Sequence, residues 1–170
     1  MSERFIPESP KEVLDIIRAA RTDEKSLEIV GAGSKRAWGR PITSSALMDM
    51  YKLSGVTLYE PEELVLSAEA GTPMQEIQHV LTQHNQQLAF EPPDFAPLFG
   101  GEAGIGTLGG AISANLSGPR RLQAGAARDH LLGFEAISGR GEEFKSGGRV
   151  VKNVTGFDLS KLLAGSFGTL

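Results

Sequence analysis

A loop rich in glycine is the first part of the sequence whose residue types could do chemistry. It follows a short apolar segment, Leu27 to Val30, and reads Gly31, Ala32, Gly33, Ser34 and Lys35, with Gly39 four residues further on. Glycine reaches backbone conformations in which successive N–H groups point at one anion, and it leaves room for a phosphate to approach. Because glycine and serine are also common in turns, this first loop (residues 31–39) is equally compatible with a plain turn.

The first loop does not fit two common nucleotide-binding patterns. The Rossmann fingerprint needs a third glycine three residues after Gly33, where this chain has Arg36, and no pattern of a long crossover helix follows. A P-loop needs a Gly-Lys-Ser/Thr triplet, which does not follow the loop either. Phosphate binding here would therefore use another arrangement.

A second glycine-rich segment, Gly104 to Gly133, strengthens the phosphate hypothesis, and its residues 104–118 are called the second loop below. Its glycines Gly106, Gly109 and Gly110 come before a run of small residues, and Asn115, Ser117 and Gly118 come after that run. Two such loops in one chain can hold a diphosphate from two sides. Five basic residues could neutralise the phosphates or simply face solvent, namely Lys35, Arg36, Arg40, Arg120 and Arg121. For Arg40, and for one of Arg120 and Arg121, we favour solvent exposure.

The remaining candidate residues point away from metal chemistry. His79 and His84 lack metal-ligand spacing, and the chain has no cysteine, which excludes a disulfide or a thiolate metal site. His130 has apolar neighbours and fits a structural hydrogen-bonding role better than that of a base. Trp38 could stack on a bound cofactor or anchor the first loop to the core. We predict no metal site.

The elements that must position these loops can be read from capping and periodicity. Ser9, Pro10 and Glu12 form a capping-box pattern that starts a helix, and Leu27 to Val30 fits a strand. Two short strands are expected around Glu60-Pro61. A second capping box is expected from Thr72, Pro73 and Gln75, ahead of a helix that buries Ile77, Val80 and Leu81 and leaves His79 and His84 towards solvent.

Beyond residue 95 the pattern predicts glycine-rich turns and short strands, with a hairpin through Gly139 to Gly141. The mixture of elements predicts an α+β fold. Five glycines occur up to residue 99 and 16 from Gly100 onward, so the later part depends most on close backbone approaches.

Length, charge and hydropathy restrict the class of protein. A chain of 170 residues suits one domain of two lobes, and a net charge of -4 argues against nucleic-acid binding. The N-terminus has no signal-peptide pattern, and no apolar run approaches the roughly 20 residues of a membrane span. We therefore expect a cytoplasmic protein without direct membrane insertion, associated with a membrane only through partner subunits. The apolar end, "LAGSFGTL", suggests a fragment.

Three segments together resemble a known family. These are "EPPD" (91–94), "GTLGGAISANLSGPRR" (106–121) and "RVVKNVTGFDLSKLLAGSFGTL" (149–170). The combination resembles the PCMH-type FAD-binding domain of the vanillyl-alcohol oxidase flavoproteins, and within them the FAD-binding subunits of glycolate oxidases. The resemblance implies one such domain over residues 1–170. Its two α+β lobes, about 1–54 and 55–170, would hold FAD extended between them, and a cap domain would follow beyond Leu170.

The resemblance also implies which residues bind the cofactor. The positions are Gly31, Ala32, Gly33, Ser34, Lys35 and Gly39 in the first loop, Pro93 in the turn before the second loop, and Thr107, Leu108, Gly109, Gly110, Asn115, Ser117 and Gly118. The first loop would bind the pyrophosphate through backbone N–H groups. "KNVTGFDL" and "GSFGTL" would lie beside the isoalloxazine, although Phe167 stands where many relatives have an acidic residue.

Cofactor chemistry and partners follow from the same resemblance. Covalent members attach flavin through a histidine in the first loop, sometimes with a cysteine, and this chain has neither there, so we expect non-covalent FAD. FAD would accept a hydride from the α-carbon of a small 2-hydroxy acid, with glycolate favoured, and no catalytic residue is assigned because the base is expected in the cap domain. Partners would be a second flavin subunit and an iron-sulfur subunit.

Two other functions stay open. The chain could be a non-catalytic FAD-binding or assembly module of such a complex. It could also be another flavoenzyme of the same fold, such as an NADPH-dependent cell-wall precursor reductase, which the "VVKNVTGFDL" segment disfavours.

Overall fold

The structure is a computed structural model that describes residues 3–149 and 156–169. The first part contains β1 (Glu3–Phe5), α1 (Pro10–Thr22), β2 (Leu27–Val30) and β3 (Ala46–Asp49). The middle contains β4 (Val56–Glu60), β5 (Val65–Ala68), α2 (Met74–Thr82) and α3 (Leu108–Ser113). The last part contains α4 (Arg121–Ala124), α5 (Ala127–His130), β6 (Gly133–Ile137), β7 (Glu143–Gly147) and α6 (Leu159–Leu163). The fold is α+β, as predicted.

A parallel three-stranded sheet in the order β1-β3-β2 carries the first loop. Val13 and Ile17 of α1 pack against Met48 of β3 and form the buried cluster behind this sheet. The predicted Ser9 cap of α1 is confirmed, because Ser9 Oγ accepts the Glu12 N–H at 3.3 Å. The Glu12 carboxylate accepts the N–H of Glu8 at 3.0 Å, one residue before the position that a capping box requires. The first loop leaves the sheet where β2 ends.

Two antiparallel hairpins follow; the second was predicted as a hairpin, and the first was predicted only as two short strands. β4 and β5 pair on either side of a 3₁₀ turn at Pro61–Glu63, and β6 and β7 pair around a tight turn in which Gly141 N–H donates to Ser138 O. The three-stranded sheet lies before residue 54 and both hairpins after residue 55. The lobe boundary itself stays a prediction.

Helix α2 begins as expected but is capped differently. Ile77 and Leu81 are buried as predicted, Val80 is only half-buried instead of buried, and both histidines of this region are exposed. The predicted capping box is wrong, because the fully buried Thr72 turns its hydroxyl away from the helix and donates to Glu69 O at 2.7 Å. Met74 N–H, at the start of α2, donates instead to Gly106 O in the second loop at 2.8 Å.

The prediction of turns and short strands for residues 100–132 is also wrong, since this segment contains α3, α4 and α5. Thr107 caps α3 by accepting the Gly110 N–H at 3.3 Å. Small residues let this helix approach Ala70 closely, because a Cβ at Gly109 would lie 2.9 Å from Ala70 O. In the two described ranges, no helix has the length and apolar character of a membrane span.

Candidate dinucleotide-binding site

The first loop presents a row of free backbone donors. Gly33 has φ +68°, and the loop is closed by two turn bonds, in which Arg36 N–H donates to Gly33 O at 3.1 Å and Trp38 N–H donates to Lys35 O at 2.9 Å. Among the described residues, no acceptor takes the N–H of any residue from 31 to 35. Five consecutive donors are therefore available to an anion.

The second loop is anchored to the protein at one end and free at the other. Leu108 N–H donates to Thr72 O at 2.9 Å, and Gly109 N–H donates to Ala70 O at 2.8 Å. These two predicted site residues therefore direct their N–H groups inward. The N–H groups of residues 105 to 107 have no acceptor within the part of the chain that the structure describes. They are the donors that this loop can offer.

The two loops face each other across glycines. A Cβ at Gly31 would overlap the Thr107 hydroxyl, and a Cβ at Gly106 would lie 3.8 Å from Ser34 Oγ. A Cβ at Gly110 would lie 3.1 Å from Lys35 Nζ. The structure thus brings together the two predicted halves of the site, and a side chain at these glycines would reduce the space between them.

The charges around the loops are distributed unevenly. Arg36 forms a two-point ion pair with Glu28, at 2.6 and 2.8 Å, which raises the pKa of Arg36. Lys35 is half-buried, and its Nζ donates to Ser34 Oγ at 3.1 Å. Burial lowers the pKa of Lys35, and the charge of Asp94 opposes that shift in part. A partly desolvated ammonium group therefore lies where the first and second loops face each other.

The turn before the second loop is organised by an aspartate. Asp94, next to the predicted site residue Pro93, accepts the Ala96 N–H at 3.0 Å and the Gly104 N–H at 2.7 Å. Both carboxylate oxygens therefore hold the segment that leads into the second loop. Pro93 is half-buried, and its contact with a cofactor stays a prediction.

The side chains of Asn115 and Ser117 accept backbone N–H groups at the start of helix α5. Asn115 Oδ1 accepts the Arg128 N–H at 3.0 Å, and Ser117 Oγ accepts the Ala127 N–H at 2.9 Å. Ser117 also donates to Asn115 O at 3.2 Å. Polar atoms of both side chains are therefore engaged within the protein, and their contact with a cofactor stays a prediction.

Gly118 and Gly39 differ in their surroundings. Gly118 N–H donates to Phe90 O at 2.8 Å, and a Cβ there would lie 2.8 Å from Glu91 O, so close packing requires glycine. Gly39 has φ +95° and open space around it. Its glycine therefore serves the turn that closes the first loop.

Three aromatic side chains from separate segments meet beside the first loop. The Trp38 ring centroid lies 5.1 Å from that of Phe95 and 5.9 Å from that of Phe167. Phe167 has φ +55°, and its N–H donates to Ser113 O at the end of α3. Trp38 thus contacts two other aromatic rings while it stays exposed, and both roles considered for it, stacking on a cofactor and anchoring the loop to the core, stay predictions. The predicted isoalloxazine segment "KNVTGFDL" begins outside the described residues.

The remaining cations and histidines have local roles. Arg120 pairs with Glu91 at 3.1 Å, while Arg40 and Arg121 are exposed. His130 Nε2 lies 2.8 Å from Ala124 O, in agreement with the structural role expected of it. Within residues 3–149 and 156–169, no group of three or more metal-ligating side chains occurs.

Comparison with known proteins identifies the family. Residues 3–147 match the family described as FAD binding domain. The chain belongs to this family. Over 158 residues it is 41% identical to the glycolate oxidase subunit GlcE of Escherichia coli (strain K12), with 93% of this chain and 43% of that protein covered. It is 29% identical to the glycolate oxidase subunit GlcD of Bacillus subtilis (strain 168), over 82% of this chain and 28% of that protein.

A solved structure shows the same fold. The described architecture superposes on alkyldihydroxyacetonephosphate synthase with a TM-score of 0.74 and 20% identity, covering 97% of this chain and 29% of that chain. The synthase and the curated relatives are all much longer than this chain, which spans less than half of the length of each.

The site fits the cofactor of the FAD-binding domain family. A dinucleotide diphosphate carries several oxygens that accept hydrogen bonds, and the two loops supply free N–H groups together with one ammonium group. Glycines occupy the positions at which a side chain would enter the space between the loops. The donor set and the space therefore agree with the family assignment.

Sequence reasoning missed two residues that shape this site. The turn before the second loop was predicted from Pro93, and Asp94 was not identified as the residue that holds this turn, although an aspartate that accepts the N–H two residues later is a common turn motif. Glu28 was not considered, because its position beside Arg36 depends on how the first loop folds back towards β2. No local sequence pattern predicts the ion pair between Glu28 and Arg36.

Proposed function

We propose that this chain is the FAD-binding part of a glycolate (2-hydroxy acid) oxidase or dehydrogenase subunit. The observation that supports this most strongly is the pair of facing loops, which have unpaired N–H groups among the described residues and approach each other at the half-buried Lys35, whose Nζ lies 3.1 Å from the position of a Cβ at Gly110. The two glycolate oxidase subunits among the relatives support the substrate class. Bound FAD would accept a hydride from the α-carbon of the 2-hydroxy acid.

The chain's own task is to hold and orient the diphosphate. Residues 31–35 would donate backbone N–H groups from one side, and residues 105–107 from the other. Leu108 and Gly109 would fix the second loop through their inward hydrogen bonds. We assign the proton-abstracting base and the group that binds the substrate carboxylate to other parts of the longer protein.

We expect the FAD to be non-covalent, because the first loop has Ser34 and Lys35 where a histidine would be needed and the chain has no cysteine. Trichloroacetic acid should release all the flavin into the supernatant. Flavin that stays in the protein pellet would contradict this part of the proposal.

The proposed complex contains a second flavin subunit and an iron-sulfur subunit. The names GlcE and GlcD denote two different subunits of glycolate oxidases, which supports a multi-subunit assembly. Cluster ligands would come from the iron-sulfur partner, since this chain has no cysteine. We place the complex in the cytoplasm. Co-purification of a cysteine-ligated iron partner with the tagged subunit tests the assembly, and its absence from the purified complex would contradict it.

The first experiment is a titration of the chain with FAD, followed by flavin fluorescence and visible absorption. We expect saturable binding that weakens for Gly33→Val, which strains a left-handed backbone position, and for Gly110→Val, which pushes on Lys35 Nζ. Gly139→Val is the matched control, because its Cβ meets open space in the distant β6–β7 turn. Equal binding by all three variants would contradict the two-loop site.

A second experiment distinguishes the proposed function from the alternatives. In the full-length protein with its partners, glycolate should bleach the bound flavin under anaerobic conditions. Bleaching by NADPH alone would favour a reductase of the same fold. Tight FAD binding without bleaching by either compound would favour a non-catalytic module.

A further inference from the structure

The basic residues near the two loops differ in whether their charge is already paired with a carboxylate and in how exposed they are to solvent. Arg36 forms two hydrogen bonds with Glu28, and Arg120 is paired with Glu91. Arg40 and Arg121 are exposed, where solvent screens a charge strongly. Lys35 differs from all four, because it is half-buried and forms no ion pair within the described residues.

Among the residues that the structure describes, Lys35 Nζ has an acceptor for only one of its protons. An ammonium group has three N–H donors, and Lys35 uses one towards Ser34 Oγ. On the side of α3, both Lys35 Nζ and Thr107 Oγ1 lie close to Gly110, at 3.1 and 3.2 Å from the position that a Cβ would take there. From the preceding turn, Asp94 contributes a longer-range charge, but its two oxygens already accept backbone N–H groups.

The ammonium group lies close to both loops that carry unpaired backbone donors. Lys35 belongs to the first loop, with its row of free N–H groups, while its Nζ reaches the start of α3 directly after the free N–H groups of residues 105–107. An anion placed between the loops would thus meet donors from both backbones and one side-chain cation. A diphosphate has enough oxygens to satisfy them together.

We propose that the Lys35 ammonium is the side chain that recognises the diphosphate of the dinucleotide, and that the four neighbouring arginines do not take part. This inference rests on the proposed FAD function and deepens it. Charge-assisted hydrogen bonds of this kind correspond to about a tenfold to hundredfold change in affinity when one partner is removed.

The test compares Lys35→Met, Lys35→Arg and the matched control Arg40→Met. FAD affinity is measured by flavin fluorescence over a range of NaCl concentrations, and ADP is used as a competitor because it carries a diphosphate without flavin. We expect Lys35→Met to weaken both FAD and ADP about tenfold to a hundredfold and to reduce the salt dependence of binding. Lys35→Arg should recover part of the loss, and Arg40→Met should stay within about twofold of the wild type.

The outcomes separate the inference from the proposed function. If the wild-type chain and the full-length protein both fail to bind FAD, the proposed function is wrong, and the inference with it. If the wild type binds and Lys35→Met binds equally well with the same salt dependence, only the inference is wrong. An equal loss of FAD affinity for Lys35→Met and Arg40→Met would also overturn the inference. So would a loss of FAD affinity for Lys35→Met without any change in ADP competition.

Discussion

The contact between the two loops can be tested by a double-mutant cycle on Gly31 and Thr107. A Cβ at Gly31 would overlap Thr107 Oγ1 and approach Thr107 Cγ2 to 2.9 Å. Gly31→Ala should therefore destabilise the protein by about 1 to 3 kcal/mol, as overpacking does. Thr107→Ala removes both atoms and leaves only Thr107 Cβ, at 3.1 Å. The alanine at position 31 should then fit with a small adjustment.

Each single substitution also has an effect of its own, which the cycle removes. Thr107→Ala loses the cap of α3 and should cost about 1 kcal/mol by itself. Alanine at position 31 restricts the unfolded chain and should contribute about 0.4 to 1 kcal/mol of stability. Both effects occur in either background and cancel. The remaining coupling, which we expect at about 1 to 2 kcal/mol, measures the overlap between the loops.

The assay is equilibrium urea unfolding of the wild type, the two single variants and the double variant, with circular dichroism as the probe. The double variant should be clearly more stable than the sum of the single effects predicts. Gly139→Ala combined with Thr107→Ala is the control cycle, because position 139 is distant and open, and it should be additive. Additive behaviour of Gly31→Ala and Thr107→Ala would refute the described contact between the loops.

Three further predictions concern a buried hydroxyl, a proton and the single tryptophan. Thr72→Val should cost about 1 to 3 kcal/mol of unfolding free energy, because it leaves the Gly55 N–H without its acceptor and removes one of the two hydrogen bonds to Glu69 O. Thr72→Ser should lose less, and equal losses in urea unfolding would contradict this. Burial lowers the pKa of the free Lys35 ammonium below 10.5. Above that lowered pKa the side chain must take up a proton before it can bind the diphosphate, so FAD affinity should fall as the pH rises through it. A fluorescence titration of Lys35→Arg should show the same loss of affinity at a higher pH, because arginine keeps its proton. Phe167→Ala should shift the emission of Trp38 to longer wavelength, whereas Phe134→Ala in the β6–β7 hairpin should leave the spectrum unchanged.

The sequence predicted best where the signal is local. The start of α1 follows from Ser9, Pro10 and Glu12, and the β6–β7 hairpin from its glycine turn, because a few neighbouring residues determine both. Thr72 shows the limit of that reasoning. Its sequence neighbours fit a capping box, but burial against Gly55 gives the hydroxyl better partners than the helix offers.

For the site, the sequence indicated candidate residues, whose contact with FAD stays a prediction, but it did not indicate which of their N–H groups are already hydrogen-bonded within the protein. The spacing of glycines indicated two anion-binding loops, and the structure brings them into contact through Gly31 and Thr107. Which N–H groups are free depends on the pairing of Leu108 and Gly109 with a distant segment, Ala70 to Thr72. Long-range hydrogen bonds of this kind leave no periodic pattern in the sequence.

The contact between α1 and the last hairpin has a consequence for synthesis on the ribosome. Arg18 donates to Gly141 O and Arg21 donates to Arg140 O, across sequence separations of 123 and 119 residues. At translation rates of about 5 to 20 residues per second, α1 would wait roughly 6 to 25 seconds for its partner to be made. During that interval the helix has its parallel sheet but not the hairpin turn, so a chaperone that acts on the nascent chain would meet an N-terminal part with these arginines still unengaged.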